Sequence, residues 1–166
     1  MIVADTNLLS TFARIERLDL LFSVAEAETF DLPPAVIRDV KIGLHKGLDF
    51  LQPIVDGLTG GTRFSAIELT PEEKSFSDRL PASLNAGERE SIAVCAKRVG
   101  GKLLTNDKRA HSYCLANQIP SLNLKLILRR LWQAGHCAKE EVRLLMEEIE
   151  TNEPGMVIKG KDEILR

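Results

Sequence analysis

Met1-Ile2-Val3-Ala4-Asp5-Thr6-Asn7 opens the chain, and Lys102-Leu103-Leu104-Thr105-Asn106-Asp107 repeats its logic far downstream. Each stretch is an apolar run too short for a helix, followed at once by a polar turn that carries an acid. Apolar-periodic sequence, Leu8, Leu9, Phe12 and Ile15, follows the first, and a helix to Asn117 is expected after the second. The reading is strand, acidic turn, helix, made twice.

Working outward, the same alternation continues. A helix is expected over 16–25, a strand over 29–32, and a helix over 34–45 that starts on Pro34. Residues 50–58 read as helix broken near Pro53, and 63–69 as a strand. Thr70-Pro71-Glu72-Glu73 is a helix start, with a capping Thr and acids near the positive end of the dipole. A helix over 85–99 carries Ile92, Cys95, Ala96 and Val99 at helical spacing and ends at Gly100-Gly101. A strand over 119–122 and helices over 124–134 and 138–150 complete the chain. Short strands alternating with helices define an α/β domain, with a short-stranded, mostly parallel sheet between helical layers. The expected division is one domain over 1–151 and a C-terminal tail over 152–166, packed on the domain or at an interface.

Composition narrows the class. The 166 residues are 44% hydrophobic and 28% charged, as in an ordinary globular domain. Lys plus Arg is 22 and Asp plus Glu is 24, a net charge of −2, so the chain is no general polycation, although a local basic rim is compatible with it. No apolar stretch approaches membrane-span length, and no basic-then-apolar leader is visible at the N-terminus. Cys95, Cys114 and Cys137 form no CxxC pair, so neither a disulfide framework nor a zinc knuckle is expected. A cytoplasmic location without a membrane partner is the expectation.

In open parallel sheets, ligands bind beyond the carboxyl ends of the strands, where Asp5 and Asp107 fall on this reading. Asp39 and Glu88 sit on helices able to approach the same edge. Carboxylates gathered in one cleft repel each other and resist ionisation unless a cation joins them. An all-oxygen, carboxylate-rich site suits Mg²⁺ or Mn²⁺, ions that activate water and stabilise an in-line phosphoryl displacement. Plainer roles stand beside these. Asp5 is a good helix cap. Asn85 and Glu88 have capping-box spacing. Asp39 also reads as an exposed helix residue. Glu90 lies about 200° around the helix from Glu88 and reads as solvated.

The runs Ala4-Asp5-Thr6-Asn7, Gly87-Glu88 with Glu90, Ile92 and Ala93, and Leu103-Leu104-Thr105-Asn106-Asp107 resemble the PIN domain, in their order more than in any one motif. Many bacterial and archaeal PIN proteins are the ribonuclease toxins of VapBC-type toxin–antitoxin pairs. The resemblance is clearest over 1–12 and 84–135. It implies a three-layer PIN-like fold and Mg²⁺- or Mn²⁺-dependent hydrolysis of RNA. Asp5, Asp39, Glu88 and Asp107 would then be catalytic metal ligands, with Asn7 and Thr105 supporting. Asp39 stands where the family usually has Glu, and Asn106-Asp107 where relatives often have two acids. Lys108 and Arg109 are candidates for contact with RNA phosphates, and an antitoxin and a homodimer are implied as partners. The rival is a catalytically inactive PIN-like module that binds protein or RNA. A haloacid-dehalogenase-type phosphatase would need an acid where Asn7 stands, and no glycine-rich phosphate loop is present. Leu124, Leu126, Ile127, Leu128, Leu131 and Trp132 reach around more than one helix stripe, so this helix is either centrally buried, packed on its neighbour and the sheet, or partly covered by a partner, and a shared surface is the expectation.

Overall fold

A computed structural model describes residues 1–166. Its centre is a five-stranded sheet of β1 (Ile2–Ala4), β2 (Phe30–Leu32), β3 (Phe64–Ala66), β4 (Lys102–Leu104) and β5 (Ser121–Leu122). The order is β3-β2-β1-β4-β5 and every pairing is parallel. Val3 lies between Asp31 on β2 and Leu103 on β4. The chain builds outward from β1 in one direction and then crosses to β4 on its other side. That reversal leaves a crevice at the carboxyl ends of β1 and β4.

The side-chain alternation of the strands feeds two cores. Val3 and Leu103 point into one, with Leu69, Leu84, Ile92 and Cys114. Its cover is α5 (Pro71–Asp78), α6 (Ala86–Lys97) and α7 (Lys108–Ala116). Ala4 and Leu104 point the other way, into a larger core with Phe12, Leu21, Val36, Ile127 and Met146. That core is supplied by α1 (Thr6–Arg14), α2 (Leu18–Ala25), α3 (Pro34–His45), α4 (Gln52–Thr59), α8 (Leu124–Gln133) and α9 (Lys139–Asn152). The result is the three-layer α/β arrangement that the alternating elements imply.

Several local expectations are corrected. Pro53 does not break a helix. A 3₁₀ turn over Asp49–Leu51 leads into α4, and Pro53 sits in the first turn, where its missing N–H removes no bond. Val99 is fully exposed instead of lying on the apolar face of α6. The helix ends at Lys97, and Arg98 turns extended with its guanidinium on Glu73, at 2.6 and 2.9 Å. Gly101 then doubles back so tightly that a Cβ there would lie 2.7 Å from the Cys95 carbonyl oxygen, which throws Val99 outward. Glu16 belongs to no helix: its φ of 56° ends α1, and α2 begins two residues later.

The apolar residues of α8 and α9 are largely covered within the chain. Leu124, Ile127, Leu128 and Leu131 are buried on α8, and Val142, Leu145, Met146 and Ile149 on α9, while Leu144 remains exposed. Part of the cover is a short helix that the sequence reading lacks, α10 (Lys161–Ile164), whose Ile164 is fully buried. The Trp132 indole N–H donates to the Ile164 carbonyl at 2.7 Å.

Candidate active site

Asp5 caps α1 from the end of β1. One carboxylate oxygen accepts from the Leu8 N–H at 2.7 Å. The other accepts from the Thr105 hydroxyl and, at 3.3 Å, from the Asn106 N–H. The Thr105 oxygen also accepts from the Asp107 N–H at 3.0 Å. Thr105 therefore ties the turn after β1 to the turn after β4. Only 3% of Asp5 is exposed. Burial raises its pKa from 3.8 to about 6; the Glu88 charge adds to the rise, and the three hydrogen bonds oppose it.

Glu88 completes a capping box. The Asn85 side-chain oxygen accepts from the Glu88 N–H at 2.9 Å, and Glu88 accepts from the Asn85 N–H at 2.9 Å. The Asn85 amide also donates to the second Glu88 oxygen at 2.9 Å. Glu88 is 3% exposed, and burial raises its pKa, helped by the Asp107 charge and opposed by the Asn85 N–H. The capping and cleft-lining roles coincide here. Each cap fixes the direction of a carboxylate that also lines the cleft.

Asp39 reaches the same cleft from α3. A Cβ on Gly87 would lie 3.4 Å from an Asp39 oxygen and 3.4 Å from the Asn85 side-chain oxygen, so the bare glycine lets the acid close on α6. Glu90, expected to be solvated, is instead bound to α3. It accepts from the Ala35 N–H at 2.7 Å, serving a helix start for which Pro33 supplies no side-chain cap. The sequence holds a signal for this, because Pro33-Pro34 leaves the first free N–H of α3 in need of an outside acceptor.

Asp5, Thr6, Asn7, Asp39, Asn85, Gly87 and Glu88 line a cleft of about 230 Å³ with no hydrophobic side chain in its wall. Asp107 faces an adjoining groove. It caps α7 through the Ala110 N–H at 2.8 Å and stands 3.7 Å from the Arg109 guanidinium. Lys108 lines that groove as well, and both basic residues are exposed. No three Asp, Glu, His or Cys side chains are close enough, as placed, to share an ion. The four acids of the sequence reading thus form two neighbouring groups and not a ready-made cage. The donor chemistry does fit a hard cation. A carboxylate offers about four lone-pair sites. Asp5 has committed three, Glu88 two, and Asp39 none. Open oxygens therefore remain on all three, and a cation would offset the burial that raises Asp5 and Glu88.

A family model described as a PIN domain matches residues 1–161. The chain belongs to the PIN-domain family, whose members are generally nucleases that use divalent metals. No curated protein and no solved structure matches it. No helix is long and apolar enough to cross a membrane.

Proposed function

We propose that this chain is a Mg²⁺- or Mn²⁺-dependent endoribonuclease. The observation that carries the reading is the buried Asp5 at the β1/β4 reversal, with Glu88 and Asp39 on the same polar cleft. Asp5, Asp39 and Glu88 would hold the metal, with Asp107 at the edge and Asn7 supporting. When bound, such an ion supplies activation of water and stabilisation of charge on the phosphoryl group. The chain's own contribution is positioning. The caps on α1 and α6 lock two carboxylates, Thr105 fixes Asp5 against the β4 turn, and Glu90 anchors the helix that carries Asp39. Lys108 and Arg109, both exposed, would meet phosphate.

The finer parts of the reading are a toxin role with a cognate antitoxin, a homodimer, and a cytoplasmic location. Purified protein incubated with single-stranded and structured RNA in Mn²⁺ is expected to cleave, to stop in EDTA, and to lose activity by orders of magnitude on Asp5→Asn. Unchanged cleavage by that variant would sink the assignment.

One observation favours a second reading, a non-catalytic PIN-like interaction module. As placed, no three of the acids come close enough to share an ion, Asp5, Asp39 and Glu88 included. RNA or protein binding without cleavage in Mn²⁺ would select it.

A further inference from the structure

Beside the acidic cleft lies a second groove of about 190 Å³, of opposite character. Asp107, Lys108, His111, Lys125, Val157 and Lys159 are among the residues that line it. Its inner wall is the start of α7 and α8, and its outer wall is the strap between α9 and α10. Lys108 and Lys159 are exposed and form no ion pair. Lys125 is paired with Glu163. His111 is nearly buried and held by the Ser121 hydroxyl at 2.9 Å; burial lowers its pKa, so the ring stays neutral at neutral pH. Two free cations therefore stand beside a turn that is stitched through Thr105 to the buried Asp5 of the cleft.

The strap that brings Lys159 there is held in place. Both Glu150 oxygens grip it, accepting from the Ile158 N–H at 2.8 Å and the Lys161 ammonium at 2.5 Å. Thr11 holds its other end through Glu153 at 2.7 Å. At Gly160, with φ of 71°, a Cβ would lie 3.2 Å from the Lys125 ammonium, so the strap lies close against α8. Val157 stands exposed between the held points, an apolar side chain next to the free lysines.

A polyanion whose reacting phosphate enters an acidic cleft needs its neighbouring phosphates neutralised alongside. Phosphate contacts of this kind fix strand register. We propose that this groove is the subsite for the single-stranded RNA flanking the reacting phosphate, with Lys108 and Lys159 binding its backbone and the C-terminal strap as its outer wall. The inference rests on the ribonuclease reading, and it makes the strap part of the substrate site.

The test is fluorescence anisotropy with a labelled single-stranded RNA oligonucleotide, in EDTA so that nothing is cleaved, across a range of KCl concentrations. The groove pair Lys108→Ala/Lys159→Ala is compared with Lys74→Ala/Arg79→Ala, an equal charge change on exposed positions of α5 and its end. The groove pair is expected to weaken binding about tenfold or more, and its salt slope to fall by about 0.7 for each phosphate that is no longer neutralised. The α5 pair should change less than about twofold, since a distant charge acts only through the screened net field. Lys108→Arg/Lys159→Arg should retain binding. Equal losses of affinity in the two alanine pairs, or none in the groove pair, overturn the subsite. Cleavage in Mn²⁺ by a wild type that does not bind RNA in EDTA overturns the subsite alone; neither binding nor cleavage overturns both it and the ribonuclease reading.

Discussion

Asp5 pairs a burial cost with a capping gain, and the balance depends on pH. Its pKa is about 6 in the folded chain against 3.8 ordinarily, so the folded state takes up the proton more readily. The stability tied to that proton is fully present below the unfolded value and is lost as pH rises through about 6. Ionised Asp5 thus weakens the fold at neutral pH by about 3 kcal/mol relative to acid. Asp5→Asn should melt higher than wild type at neutral pH, with an advantage that shrinks toward about pH 4. Urea titrations at several pH values measure this, and an Asn variant no more stable at neutral pH would refute it. Glu88 offers a complementary contrast. Glu88→Gln keeps an oxygen for the Asn85 N–H, so its melting point should change little, whereas Mn²⁺ binding by calorimetry should weaken strongly. A variant with normal Mn²⁺ binding and a loss of the order of a cap, about 0.5–2 kcal/mol, would make Glu88 purely structural.

At the scale of elements, α3 is positioned by a neighbour's side chain more than by its own cap. Glu90→Ala should leave the Ala35 N–H unpaired beside Pro33 and cost about 1–2 kcal/mol. It should also weaken Mn²⁺ binding, because Asp39 rides on the same helix. Loss of stability with unchanged metal affinity would show that Asp39 is not a ligand. Sequence shows that the start of α3 needs an outside acceptor, but not which residue supplies it. Strand-then-acid at Asp5 and Asp107, and the capping spacing of Asn85 and Glu88, are local patterns, so Asp5, Asn85 and Glu88 of the cleft wall and Asp107 of the adjoining groove are legible from them. The partner of Glu90 lies 55 residues away and depends on how two helices meet. Val99 departs from its helical periodicity for a similar reason. Helical periodicity carried it onto the apolar face, but the Arg98–Glu73 pair and the tight return at Gly101 end the helix first. The apparent apolar surplus of α8 and α9 was real as sequence, yet its cover comes largely from within the chain.

At the scale of the whole molecule, the C-terminal strap links the larger core to the groove beside the candidate site. Its last anchor is Ile164, fully buried on a helix of a single turn. The isolated turn has almost no helical stability of its own. It is held by packing, by Trp132 donating to the Ile164 carbonyl, and by Lys125 and Arg129 on Glu163. Ile164→Ala should therefore do two things at once. It should cost about 2–5 kcal/mol, the range for emptying a buried Ile site. It should also release the strap, so that the half-buried Trp132, the only tryptophan in the chain, becomes wetter. The expected signal is a red-shifted emission that appears before the main urea transition. Release of the strap carries Lys159 away from Lys108, so RNA affinity should fall under conditions where the rest of the domain is still folded. A single transition, with tryptophan emission and RNA binding changing together at the global midpoint, would mean that the strap folds as one unit with the sheet and does not open separately.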